Sequence, residues 1–324
     1  MPGRPGRYGM TDDGDDGDAD PTVVNLEHET EVNWLREGRK AADGDEVPVL
    51  VGTEWLAAHR GDPDVTVVDV RDAWEFDGIG HVPGAVNVPF DAFRATEHAA
   101  QRAGDSASDD EPRARGEAGM LPGSRAFADR MSEAGIGNDD RIVAYDDTNG
   151  VFAARLLVTA ELYGHDPGRL HLLDGDFSAY TLKHGTTSEA PTVEPTDYRA
   201  AYEERGSLVP LATVEAALDD PGTVIVDTRE EHEFAAGHIP GAVRLDWQEL
   251  VDTETRGVLP DDELRALLAD RGIRPGERVL LYCNTSRRIS HTYTVLRHLG
   301  FPNLAFYEGS LTEWEAEGNE LETA

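Results

Sequence analysis

Cysteine occurs once in this 324-residue chain, at Cys283, and lysine only twice, at Lys40 and Lys183. A single cysteine excludes an intramolecular disulfide and any metal site built on several thiolates. With so little lysine, arginine carries almost all the positive charge against a large excess of carboxylates, and the formal net charge is −35. That field repels nucleic acid and anionic membrane surfaces, so neither is expected as a partner. No apolar run approaches the roughly 18 residues of a membrane-spanning helix. The opening stretch, MPGRPGRYGMTDDGDDGDAD, lacks the apolar core of a secretion signal, which makes a cytoplasmic location the expectation. An acidic, lysine-poor surface stays hydrated where concentrated salt screens its self-repulsion, pointing to a halophile's protein. Acidic residues also run through segments such as DDPGTV and LPDDELRALLAD, so the acidity is not confined to a tail.

What is present suits about two domains, with 39% hydrophobic residues to fill two cores. Residues 1–46 read as an acidic N-terminal segment, largely disordered. Residues 47–185 form a first domain interrupted by an acidic insert at about 96–119, residues 186–206 a polar linker, and residues 207–324 a second domain.

The two domains repeat each other. VTVVDVRDAWEFDGIGHVPGAVNVPF, from Val65 to Phe90, matches TVIVDTREEHEFAAGHIPGAVRLDW, from Thr223 to Trp247. Asp69, Arg71, Glu75 and His81 fall opposite Asp227, Arg229, Glu233 and His238. Further on, RIVAYDD (Arg141 to Asp147) matches RVLLYCN (Arg278 to Asn284), and LLDGDFSAY matches FYEGSLTEW. Short β-branched runs with little alternation, separated by amphipathic helices, predict α/β domains, each a mostly parallel sheet flanked by helices.

Cys283 follows the strand VLLY and precedes a helix beginning near Arg287. Ligands bind at the carboxyl ends of strands in open α/β sheets, so the loop Cys283-Asn284-Thr285-Ser286-Arg287-Arg288 lies where a site is expected. Loop N–H groups, the helix N-terminus and the two arginines would all favour a thiolate. Ser286 would be strained if its position requires a positive φ. His238 and His81 precede Pro-Gly turns and read as turn-packing residues, and His291 as a packed helix residue.

The paired DxR…E…GH-x-PGA motifs, the strand-then-cysteine loop and the EGS-x-x-EW ending resemble the tandem rhodanese family of thiosulfate and 3-mercaptopyruvate sulfurtransferases, from about Val47 onward. The resemblance implies two rhodanese-like domains with the second catalytic; Asp146 stands opposite Cys283 in the first. It implies that Cys283 takes sulfur from a small anionic donor as a persulfide and passes it to a thiol or cyanide, with no cofactor. It implies that Arg155, in the helix after the degenerate loop, faces the cleft and binds the donor with Arg287, Arg288, Asn284, Thr285 and Ser286. Asp227, Arg229 and Glu233 then support the loop. The sequence Arg287-Arg288-Ile-Ser-His-Thr is similar to the E-R-S-S-H-T of a thiosulfate subgroup, which favours thiosulfate over 3-mercaptopyruvate. A 3-mercaptopyruvate sulfurtransferase, or a non-enzymatic persulfide carrier or binding module fed by a partner protein, is the alternative. Phosphatase relatives place an arginine six residues after the cysteine, where this chain has Ile289.

Overall fold

A computed structural model describes residues 47–94, 121–202 and 207–323; the N-terminal segment and the acidic insert lie outside them. The first half carries a five-stranded sheet in the order β1-β5-β4-β2-β3, formed by β1 (Leu50–Gly52), β2 (Val65–Asp69), β3 (Val86–Asn87), β4 (Arg141–Tyr145) and β5 (Leu170–Asp174). The second half carries β6 (Thr223–Asp227), β7 (Val243–Arg244), β8 (Arg278–Tyr282) and β9 (Leu304–Phe306) in the order β7-β6-β8-β9. All of these pairings are parallel. Leu208 bridges Phe306 in parallel, standing where β1 stands against β5 in the first half.

Strands buried on both faces need apolar residues throughout, and these strands have them. Val67, Val143, Tyr145 and Leu173 join Leu56, Phe76 and Phe177 in one core, while the intervening Val68, Ile142, Ala144 and Leu172 are buried on the opposite face. The second half repeats this with Ile225, Leu280 and Tyr282 against Val214, Leu311 and Trp314. Register sets the chemistry that follows: Asp69 pairs with Tyr145, and Asp227 with Tyr282, at the carboxyl ends of adjacent central strands. The next residue in each copy, Asp146 or Cys283, therefore emerges at the sheet's carboxyl edge.

The helices, in chain order, are α1 (Thr53–His59), α2 (Ala73–Gly78), α3 (Ser124–Glu133), α4 (Val151–Leu162), α5 (Asp176–Thr181), α6 (Leu211–Ala217), α7 (Glu231–Ala236), α8 (Asp261–Asp270), α9 (Arg287–His298) and α10 (Ser310–Ala316). Gly164 and Gly300, at φ 92° and 85°, end α4 and α9 in the left-handed conformation that glycine adopts without a Cβ penalty.

α4 and α9 pack on each other across the boundary between the halves. Every residue of α4 except Phe152 is buried, which explains why VFAARLLVTAEL is apolar nearly all round. Its two charges are each met from the other half. Arg155 binds Glu308, and Glu161 accepts from Tyr293 Oη at 2.8 Å and Arg297 at 2.7 Å. A third link runs from Arg256, whose guanidinium binds Asp176 at 2.7 Å and the Asp147 carbonyl at 2.9 Å.

The described part of the linker lies along the first half. Thr187 exchanges backbone hydrogen bonds with His81, Thr196 N–H reaches the Ser132 carbonyl, and buried Tyr198 meets His165 Nδ1 at 3.0 Å.

Candidate active site

Cys283 sits directly after β8 and is 2% exposed. Its own backbone is fixed on both sides. Its N–H donates to Ser310 Oγ at 3.2 Å, and its carbonyl accepts from Leu311 N–H at 3.0 Å. The chain then turns sharply enough for Ser286 N–H to point back at Sγ, 3.1 Å away. The twelve-residue α9 begins at the next residue, so the positive end of a well-formed helix faces the sulfur.

That turn requires Ser286 at φ 68°, a left-handed conformation that costs a side-chain-bearing residue about 1–2 kcal/mol. Ser286 offsets part of this strain by donating Oγ–H to the Glu308 carbonyl at 2.7 Å. Its carbonyl in turn accepts from Ser290 Oγ. Ser286→Ala keeps the strain and loses the buried bond, and is expected to destabilise the protein by about 1–3 kcal/mol. Ser286→Gly also loses the bond but removes the strain, so it should be about 1 kcal/mol more stable than the alanine variant. Denaturant midpoints test this; a glycine variant less stable than the alanine variant would show that strain is not the governing factor.

The residues matched by the repeat surround this loop. Arg229, almost fully buried, grips Asp227 through both carboxylate oxygens and reaches the Gly237 carbonyl at 2.7 Å. Glu233 accepts from Asn284 Nδ2 at 2.9 Å and pairs with Arg288. Burial alone would raise the Glu233 pKa, but the Arg288 guanidinium holds it below the usual carboxylate range. Burial alone would likewise lower the Arg288 pKa, and Glu233 raises it above the usual value. Tyr282 Oη accepts from Ile239 N–H, and burial beside Asp227 pushes the phenol far above its ordinary range.

Several donor-binding assignments need correction. Arg155 does not face the cleft. It is fully buried, held by Glu308 at 2.6 Å and 3.0 Å, because α4 is enclosed between its own sheet and α9. The side chains of Asn284 and Ser286 turn to Glu233 and the Glu308 carbonyl, and the Ser286 N–H faces Cys283 Sγ. Arg288 is in the loop region, but its charge is balanced by Glu233. Arg287 is different: it forms no ion pair with a described residue, and its guanidinium lies 5.7 Å from the Phe152 ring centroid and 5.9 Å from that of Phe90. Partial burial, with repulsion from Arg288 and Arg94, holds the Arg287 pKa below its usual value against the attraction of Cys283. Thr285 is half-buried on the same turn.

The three histidines stay out of the chemistry. His81 and His238 stack on Phe76 and Phe234 at 3.6 Å and 3.7 Å and anchor to their carbonyls. His291 is fully buried 5.3 Å from Trp247, and burial drives its pKa down to about 4, so it is neutral at neutral pH. A cavity of about 700 Å³ opens by Glu161, Arg278, Tyr293 and Arg297, and no loop residue lines it.

Phe90, Phe152, Arg94 and Glu308 were not singled out from sequence. Glu308 opens the EGS ending, so a signal existed; the other three reach the loop only through the packing of one half on the other.

In the first half the same loop holds a carboxylate in place of sulfur. Asp146 accepts N–H bonds from Thr148, Gly150, Phe152 and Ala153 at 2.8–3.0 Å. Burial raises its pKa, and those four bonds oppose the shift.

Comparison with known proteins matches residues 52–183 and 211–317 to the rhodanese-like domain. The thiosulfate sulfurtransferase of Corynebacterium glutamicum is 31% identical over 292 residues, covering 82% of this chain and 87% of the relative. The sulfur carrier protein TtuD of Thermus thermophilus is 30% identical over 289 residues, covering 82% and 93%. Among solved structures, SseA of Escherichia coli, described as a 3-mercaptopyruvate sulfotransferase, aligns at a TM-score of 0.67 with 26% identity, over 82% of this chain and 99% of that one.

Proposed function

Because this chain belongs to the rhodanese family, with two copies of the domain in tandem, we propose that it is a sulfurtransferase that uses thiosulfate as donor and Cys283 as sulfur carrier. The Cys283 thiolate attacks the outer sulfur of thiosulfate. A Cys–S–S bond forms, the donor S–S bond breaks, and sulfite leaves with the electron pair. An acceptor, cyanide or a thiolate, then attacks the terminal sulfur and the cysteine thiolate is regenerated. The covalent intermediate implies ping-pong kinetics. The cycle balances without metal or organic cofactor.

One observation carries this reading: a lone thiol held against a turned-back N–H at 3.1 Å, with Arg287, which pairs with no described carboxylate, beside it. An amide and a guanidinium suit a sulfur atom that alternates between anionic forms and a donor that arrives charged. The acidic, lysine-poor composition supports work in concentrated salt inside the cell.

The test is thiocyanate formation in molar KCl, with thiosulfate and 3-mercaptopyruvate as parallel donors. Turnover with thiosulfate in clear preference is the expected result. Loading of Cys283 only by a partner protein would favour a carrier instead. Among variants, Arg287→Ala should raise the KM for thiosulfate about tenfold, the loss of one charge-assisted contact. Arg288→Ala should raise it less, because Glu233 already balances that charge. The reverse order would remove Arg287 from donor binding.

A further inference from the structure

The first half sends a cation of its own to the cleft. Residues Phe90–Ala92 form a 3-10 turn ending at Phe93, and Arg94 follows it. The Arg94 guanidinium lies 5.2 Å from the Phe90 ring centroid, and Arg287, from the other half, lies 5.9 Å from the same ring. Phe90 meets Phe152 edge-on at 4.9 Å, and Phe152 flanks Arg287 at 5.7 Å. Two guanidinium groups from different domains thus share one aromatic wall. Arg94 pairs with Asp91 at 2.7 Å, but that carboxylate side chain is 67% exposed and its effect is screened by solvent. Stacking holds planar guanidinium groups in place while leaving their N–H edges free to donate. Like charges held this way repel, and Arg94 adds to the burial and the Arg288 charge that hold the Arg287 pKa below its usual value. An anion placed between them would relieve it.

We propose that Arg94 is a specificity-determining residue, which together with Arg287 selects sulfur donors by charge and favours a compact dianion over a monoanion. The inference rests on the sulfurtransferase reading and assigns the non-catalytic domain a direct part in donor choice. It also explains how the site can have a cationic contribution from the first half although Arg155 is sealed behind Glu308.

The test uses the full chain with Arg94→Met, which keeps apolar contact with Phe90 and removes the charge, and Arg94→Lys, which restores charge. Thiosulfate affinity is measured by calorimetry in the Cys283→Ser background, and donor KM values in the active protein, all at one salt concentration. Arg94→Met should weaken thiosulfate about tenfold in both Kd and KM, and 3-mercaptopyruvate only about threefold, with kcat for the acceptor step unchanged. Arg94→Lys should recover most of the loss. Unchanged affinity in Arg94→Met, equal losses for both donors, or no thiosulfate binding by the Cys283→Ser protein would each overturn the inference. If the wild type turns over neither donor, yet thiosulfate binding still depends on Arg94, the sulfurtransferase reading fails and the anion subsite stands.

Discussion

Cys283→Ser is expected to abolish sulfur transfer, lowering kcat by a factor on the order of 10⁴ or more. A serine hydroxyl does not ionise near neutral pH and forms no persulfide. The chain has no second cysteine, so residual activity could not come from another thiol. The fold should tolerate the change, since the N–H of Ser286 can donate to an oxygen as well as to sulfur. Mass spectrometry after incubation with thiosulfate should show one added sulfur atom on the wild type and none on the variant. Turnover surviving in the serine variant would end the case for Cys283 as carrier.

The second large effect concerns the pair that joins the halves. Arg155→Met leaves the Glu308 carboxylate buried without its cation, a change that costs about 3–5 kcal/mol. Adding Glu308→Leu removes the stranded charge, so the double variant should recover much of the loss. Denaturant unfolding in molar KCl decides the matter: a single variant losing less than about 1 kcal/mol, or a double variant no more stable than the single, would contradict it. Activity should fall with Arg155→Met even in the protein that remains folded. Glu308 supplies the carbonyl that holds Ser286 Oγ, and Ser286 supplies the N–H that faces Cys283. The arginine thus acts on the sulfur through two residues, Glu308 and Ser286, and touches no substrate.

Much of this was readable from the chain. The repeat places Asp227, Arg229 and Glu233 at one edge because strand register and motif spacing are local properties. The strand-loop-helix pattern puts Cys283 at the carboxyl edge, and the serine in a glycine-like position predicts the strained φ. What could not be read was which side chain faces which across the two halves. Arg155 and Glu308 are 153 positions apart, and no periodicity links them. A helix wheel shows Arg155 on α4 but gives no sign that α9 closes over it. Likewise, the adjacent arginines at 287 and 288 look alike in sequence. Only the placement of Glu233 beside one and of the Phe90–Phe152 wall beside the other separates them.

The carboxylate of Asp146 has one more consequence. It is tethered to the very loop that binds it, so the first domain's own loop is filled by the chain itself and carries no sulfur. It serves as a fixed record, within one polypeptide, of how many amide donors this loop design can offer a negative charge: four. Duplication left one copy with a sulfur that can be loaded and discharged and the other with a carboxylate fixed to the chain. The asymmetry between them comes down to whether the guest can leave.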